Sequence, residues 1–271
     1  MNDLGFDIQN ALSWFPSERE TPYILIRTSN DCAQSWPTAL GVAVRRCYAT
    51  DAWLSERATI LGLAQLDVLS AKLPEAGSIM AGDFGEILAY FYLTATEHPR
   101  VAFGPKKWRL KEARTKPAPY SDVIQFVLPS WPIASAEDAI LCAETKMKAT
   151  SSPRSPIKDS IEGCTKDRTS RLAKTLAWLR DRAIGEDLGS VQIAHLDRFI
   201  NAIDYPQSKK RFYAVAIICS SLVDAEIVAN APTATSQDYT TVIISVPELR
   251  NIYMSVFEAA RQSVAHPEPQ A

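Results

Sequence analysis

Two spacings of apolar residues alternate along the chain, one typical of β-strands and the other of α-helices. Continuous apolar runs predict six strands, at residues 23–27, 40–44, 121–128, 139–148, 212–220 and 241–246. Apolar positions three or four residues apart predict five helices, at residues 55–73, 81–96, 160–181, 191–203 and 247–264. Strands and helices interleaved in this way predict an α/β fold, followed at residues 266–271 by a frayed tail.

The predicted helix at residues 81–96 is apolar on almost all sides, so we expect it to be buried. Glu86 lies inside it, and a carboxylate is costly to bury unless it has a hydrogen-bonding partner or a metal ion. Alternatively, Glu86 belongs to the first turn of the helix, where the helix dipole favours an acid. The sequence leaves both interpretations open.

The strands at residues 121–128 and 139–148 carry the most informative polar residues. Their connection contains two prolines and two acids and is short enough for an antiparallel hairpin. Asp122 opens the first strand, and Glu144 and Lys146 of the second share one face because they are two residues apart. The hairpin would therefore bring the three side chains together. Taken alone, Glu144 and Lys146 could equally be a salt bridge on an exposed strand face.

Asp122 and Glu144 are suited to hold Mg²⁺, or Mn²⁺, because hard cations prefer carboxylate oxygens. The backbone carbonyl of Thr145 could supply a third oxygen to the metal. Such an ion lowers the pKa of a bound water and neutralises charge on a phosphate oxygen. Lys146 would then position the water or stabilise the transition state, which predicts metal-assisted hydrolysis of a phosphate ester.

Length and composition describe an ordinary globular protein. The 271 residues suit one domain over residues 1–271, with the site motifs at 80–150 and a C-terminal elaboration of the same domain at 151–271. No apolar run approaches the roughly 18 residues that cross a bilayer, so we expect a cytoplasmic protein without membrane contact. The chain has no phosphate-binding loop of the Gly-x-x-x-x-Gly-Lys-Ser/Thr type, so any NTP-driven motor must come from a partner.

Charge is nearly balanced overall but concentrated locally. The net charge is −2, yet six basic residues and one acid lie between positions 105 and 116. A solvated loop is one interpretation of this segment, and contact with phosphates is the other, because the segment leads directly to Asp122.

The order of a helix Glu, a strand Asp and a Glu-x-Lys strand resembles the PD-(D/E)xK nuclease superfamily. More narrowly, four segments together resemble the HamA family, the nuclease subunits of bacterial Hachiman antiphage systems, to which the Abp antiphage proteins are related. These segments lie at residues 82–91, 107–112, 120–122 and 143–146. Ser121 stands where the superfamily motif has a proline, a position that varies.

This resemblance implies a restriction-endonuclease-like core, a mixed α+β sheet flanked by helices, with additional helices and strands. It implies that Glu86, Asp122, Glu144 and Lys146 form the catalytic site and that a HamB-type helicase restrains the nuclease. It also implies that three basic residues guide the DNA backbone to the metal, namely Lys107, Arg109 and Lys111.

We therefore expect a Mg²⁺-dependent deoxyribonuclease that acts in antiphage defence. The alternative is an adaptor that retains the nuclease fold, docks a helicase or binds DNA, and does not cleave. A third possibility, an unrelated metabolic enzyme, would need a small-molecule pocket that the sequence does not reveal.

Overall fold

Seven strands form one mixed sheet in the computed structural model of the protein, which describes residues 2–201 and 203–265. The strands are β1 (Ser17–Arg19), β2 (Ile24–Arg27), β3 (Ala102–Phe103), β4 (Val123–Val127), β5 (Ala139–Lys148), β6 (Lys209–Cys219) and β7 (Thr240–Val246). Their order in the sheet is β1-β2-β7-β6-β5-β4-β3. The neighbours β2, β7, β6 and β5 run parallel, whereas β1, β4 and β3 pair antiparallel at the two edges.

Ten α-helices surround the sheet in the described part of the chain. They are α1 (Ile8–Leu12), α2 (Asn30–Tyr48), α3 (Asp51–Leu61), α4 (Gln65–Lys72), α5 (Ser78–Glu97), α6 (Pro156–Lys166), α7 (Leu172–Arg182), α8 (Ile193–Ile200), α9 (Ser220–Asn230) and α10 (Leu249–Ala265). Short 3₁₀ turns cover Asn2–Leu4 and Lys107–Leu110, and a π-helical turn, Asp167–Arg171, joins α6 to α7. None of the described helices is both long and apolar enough to cross a membrane.

The core lies in two layers, one on each face of the sheet. Helices α2, α5 and α10 pack on one face, where a continuous cluster includes Phe84, Leu141 and Ala143. Helices α6, α7 and α8 cover part of the other face against Ile140 and Cys142. The result is an α/β protein with a mixed sheet between helices, which confirms the predicted fold class.

Most predicted elements are present, with small shifts at their ends. The strands at β2, β4, β5, β6 and β7 and the helices at α5, α8 and α10 all lie where the spacing predicts them. The predicted helix at 160–181 is also helical, interrupted by the π-helical turn. The frayed tail expected at 266–271 lies outside the described residues.

Two predictions from the N-terminal third are wrong. The run at 40–44 is part of α2, because Leu40, Ala43 and Val44 repeat at helical spacing and all three are buried. The predicted single helix at 55–73 is two helices, α3 and α4. Gly62 ends the first in a left-handed conformation (φ 64°), which glycine adopts without steric cost.

Candidate active site

Strand β5 presents Glu144 and Lys146 on the face of the sheet covered by α6, α7 and α8. Side chains alternate along a strand, and Ile140 and Cys142 of the same set pack in the core below these helices. Thr145 points to the opposite face, where its methyl group lies near Gly85 of α5. The helical layer on the Glu144 side therefore belongs to the C-terminal half of the chain.

The hairpin of β4 and β5 brings Asp122 to Glu144. Val123 pairs with Ala143, so the residue before β4 lies beside Glu144. One carboxylate oxygen of Asp122, Oδ2, accepts a hydrogen bond of 2.8 Å from the backbone N–H of Thr145. The structure thus brings together Asp122, Glu144 and Lys146.

The ammonium of Lys146 lies among three oxygen atoms. It bonds to Glu144 Oε1, donates to the carbonyl oxygen of Thr145 at 3.1 Å, and lies 3.6 Å from Asp122 Oδ2. These oxygens belong to the residues that the sequence assigns to a metal ion. A single positive charge thus occupies the point where the proposed ligands converge.

Burial and mutual repulsion shape the electrostatics of this cluster. Burial, followed by the charge of Asp122, raises the pKa of Glu144 to about 7. Burial lowers the pKa of Lys146, but the charges of Asp122 and Glu144 outweigh that effect and the net shift is upward. The carboxylates therefore favour a nearby cation, and Lys146 remains charged at neutral pH.

The donor atoms fit a hard divalent cation. Two carboxylates and a backbone carbonyl surround one position, and these are ligand types that Mg²⁺ and Mn²⁺ accept. Within residues 2–201 and 203–265, no group of three His, Cys, Asp or Glu side chains is arranged to hold a metal. A metal at this position would therefore depend on the Thr145 carbonyl and on water or substrate oxygens, as Mg²⁺ sites commonly do.

Glu86 approaches the cluster from the other face of the sheet. It is buried in α5, and its Oε2 accepts a hydrogen bond of 3.0 Å from the indole N–H of Trp108. Burial, and then the charges of Asp122 and Asp83, raise the pKa of Glu86 well above its usual range. The structure thus gives Glu86 a hydrogen-bonding partner and places it within electrostatic range of Asp122.

The cations expected at the DNA backbone are bonded inside the protein. Lys107 is buried and donates to the carbonyl oxygens of Pro119, at 2.8 Å, and Ser121. The ammonium of Lys111 contacts both oxygens of Asp83, at 2.7 and 3.1 Å.

Arg109 likewise bonds to the main chain, because its guanidinium donates twice to the carbonyl oxygen of Arg46, at 3.0 and 2.7 Å. The local charge count suggested an exposed segment, but it could not reveal partners 28 to 63 residues away. This placement favours structural roles for the three cations, and their contacts with phosphate remain a prediction.

The sequence did not single out the residues that contact Glu144 from the helical layer. Arg171 lies 2.8 Å from Glu144 Oε2 and 2.9 Å from Asp167. Asp167, buried at 1% exposure, accepts a hydrogen bond of 2.8 Å from the hydroxyl of Ser121. In the sequence, Arg171 is one of several cations on the polar side of a helix, so spacing alone carried no sign of its contact.

The mixed sheet between helices makes this an α/β protein, and the meeting of Asp122 with the Glu-x-Lys strand in the β4–β5 hairpin is consistent with a nuclease-like fold. The chain belongs to the HamA family, whose model matches residues 26–260. This membership confirms the resemblance read from the motifs and suggests a role in Hachiman antiphage defence. Comparisons with curated proteins and with solved structures gave no match.

Proposed function

We propose that this HamA-family protein is a nuclease that hydrolyses DNA phosphodiester bonds with Mg²⁺ or Mn²⁺. The observation that carries the proposal is the convergence of Asp122, Glu144 and the Thr145 carbonyl on the ammonium of Lys146. Three oxygens that converge on one positive charge, here the Lys146 ammonium, would hold a metal ion for phosphate hydrolysis once the ammonium moves from that position toward the substrate. The family membership is the second support.

Each residue has a distinct task in this proposal. Asp122 and Glu144 would hold the metal with the Thr145 carbonyl, and the metal would lower the pKa of a water and neutralise phosphate charge. Lys146 stays charged, so it can donate hydrogen bonds to a phosphate oxygen or orient the attacking water. Glu86, held by Trp108, adds a buried acid whose own pKa is raised by burial and then by the charge of Asp122.

Cleavage of plasmid DNA in the presence of Mg²⁺ tests this function. Glu144→Ala removes a proposed metal ligand, so we expect cleavage to fall by more than the roughly 10–100-fold that loss of an outer-shell partner costs. Cleavage by Lys146→Ala should fall by a comparable factor. Matched controls are Glu162→Ala and Lys158→Ala, since both side chains are exposed on α6. Equal cleavage by wild type and the two site variants would refute catalysis at this site.

The DNA backbone needs a basic surface near the site, and a cavity at the end of β5 offers one. This cavity of about 340 Å³ is lined by two exposed cations, Arg154 and Arg250, and by Lys148, whose ammonium pairs with Glu226 at 3.1 Å. Among the described residues that line it, none is acidic. Arg154 and Arg250 are exposed, and Lys148 lies two residues beyond Lys146, about 7 Å along the strand. We assign this basic cavity to phosphates next to the one that is cleaved.

Salt-dependent DNA binding tests the basic cavity. In a Glu144→Ala background, Arg154→Glu with Arg250→Glu should weaken binding and reduce the dependence of log affinity on log salt by about 0.9 for each phosphate that the protein no longer neutralises. Arg57→Glu with Lys174→Glu, an equal total charge change at exposed sites on α3 and α7, serves as the control. An unchanged salt slope in the double variant would exclude the cavity as a phosphate-binding surface.

Restraint by a HamB-type helicase is proposed from family membership. Adding the purified helicase should suppress plasmid cleavage, and DNA that engages the helicase should restore it. Cleavage that is the same with and without the helicase would contradict restraint.

The adaptor alternative rests on one observation. Lys146 and Arg171 already bond to the two oxygens of Glu144, so its charge is balanced without a metal. An adaptor would bind DNA or a partner without metal dependence, and that binding would survive Glu144→Ala. Glu144-dependent binding of Mn²⁺ would favour the nuclease.

A further inference from the structure

The two carboxylate oxygens of Glu144 are held in different ways. Oε1 bonds to Lys146, beside Asp122 and the Thr145 carbonyl, whereas Oε2 lies 2.8 Å from the guanidinium of Arg171. A metal at the position of the Lys146 ammonium would therefore use Oε1. Arg171 could remain on Oε2 and fix the direction in which Oε1 points.

Arg171 is itself held by several groups. It donates to the carbonyl oxygen of Gly163 and lies 2.9 Å from Asp167. Asp167 is fixed in turn by the hydroxyl of Ser121, the residue before Asp122. A chain of contacts therefore runs from Ser121 through Asp167 and Arg171 to Glu144. It connects the helical layer to both strands of the hairpin, since Ser121 lies just before β4 and Glu144 lies on β5.

The π-helical turn explains how two residues of one helical segment reach the site. The turn covers Asp167–Arg171, and the N–H of Leu172 bonds to the carbonyl oxygen of Asp167, five residues earlier. Such turns are rare and occur frequently at functional sites. Gly163, one turn before it, allows α6 to approach closely, because a Cβ there would lie 2.3 Å from Glu144 Oε1.

We propose that Arg171, held by Asp167 in the π-helical turn, is a positioning residue that orients Glu144 toward a divalent metal. This inference rests on the proposed function, because it assigns a task at the same site. Hydrogen-bonded groups behind a metal-ligating carboxylate commonly determine its orientation, and their loss weakens metal binding roughly 10–100-fold. The C-terminal half of the chain thereby contributes to the site as well as to the core.

A titration of the metal-free full-length protein with Mn²⁺ tests the proposal without any cleavage assay. The electron paramagnetic resonance signal of the free ion measures how much Mn²⁺ is bound. Arg171→Ala should raise the dissociation constant roughly 10–100-fold. Arg168→Ala is the matched control, because Arg168 lies on the same turn but pairs with Asp238 at the surface. Removing this second cation should not weaken binding, since Arg168 does not contact Glu144.

A melting curve of each metal-free variant separates metal binding from folding. If Arg171→Ala does not fold, Asp167→Asn is the second variant, because it keeps the shape of the side chain and removes the charge that holds Arg171. It should also weaken Mn²⁺ binding. Equal weakening by Arg168→Ala would overturn the positioning role.

The outcomes distinguish this inference from the proposed function. Wild-type protein that binds no Mn²⁺, or binding that survives Glu144→Ala, would overturn the metal site itself. Glu144-dependent binding that is unchanged or tighter in Arg171→Ala would overturn only the positioning role. Tighter binding would show that Arg171 competes with the metal for Glu144.

Discussion

Gly163 lies where α6 packs directly against Glu144 of the candidate site. An added Cβ would lie 2.3 to 2.4 Å from three atoms of the Glu144 side chain. Glu144 cannot move away freely, because Lys146 and Arg171 hold its two oxygens. A glycine in a helix interior ordinarily lowers stability, so its presence here has a steric reason.

Gly163→Ala should displace Glu144 and weaken Mn²⁺ binding, while overpacking costs about 1–3 kcal/mol of unfolding free energy. Gly82→Ala is the matched control, because Gly82 is also helical and an added methyl group there would have no atom within 4 Å. It should be neutral or stabilise by roughly 0.5–1 kcal/mol, through better helix propensity. Mn²⁺ titration and chemical denaturation measure the two effects. Unweakened Mn²⁺ binding in Gly163→Ala would show that Glu144 can move without loss.

Helix α8 carries in its first turn a histidine, His195, that the sequence placed in no functional site. His195 is buried, and its Nδ1 accepts a hydrogen bond of 3.1 Å from the backbone N–H of Gln192 in a capping box. Its ring lies edge-on to Trp131, with centroids 4.4 Å apart. Burial, and then the charge of Arg198, lower the pKa of His195. A protonated ring would lose the capping bond.

The lowered pKa gives α8 a pH dependence with a definite sign. The folded state binds a proton at His195 less readily than the unfolded state does. The contribution of His195 to the free energy of unfolding is therefore present above about pH 6.5 and is lost as the pH falls below that value. His195→Gln keeps an acceptor suited to the capping box but does not titrate. Between pH 7.5 and 5.5, wild type should therefore lose more unfolding free energy than the variant. Chemical denaturation at each pH measures these losses. Equal losses of unfolding free energy in wild type and His195→Gln would contradict a pH-dependent role of His195.

The whole molecule depends on strands from both halves of the chain. β6 and β7 come from the C-terminal half, yet they lie between β5 and β2 in the sheet. Their residues from Ala214 to Ile218 and from Val242 to Ile244 are almost completely buried. The motifs at 80–150 thus form only one side of a shared core.

Residues 1–150 expressed alone should not fold cooperatively, because β5 and β2 would lose their parallel neighbours and expose apolar edges. Circular dichroism with thermal melting measures this, with the full-length chain as the control. A cooperative transition in the fragment would show that the C-terminal half is an independent addition.

The spacing of residues along the chain was sufficient to predict part of this protein. Alternation along β5 places Glu144 and Lys146 on one face, and the short hairpin places Asp122 beside them. These are local consequences of backbone geometry, because residues that are close in the sequence determine the period of a strand and the length of a turn.

Only the tertiary structure decided which distant groups meet these side chains. It buries Lys107 and Lys111 against internal acceptors, and it brings Arg171 to Glu144 across 27 residues of chain. Local patterns cannot specify such contacts, because they depend on how separate elements pack around a common core. The residues of the candidate site could therefore be named from the sequence, whereas the arrangement that orients them required the fold.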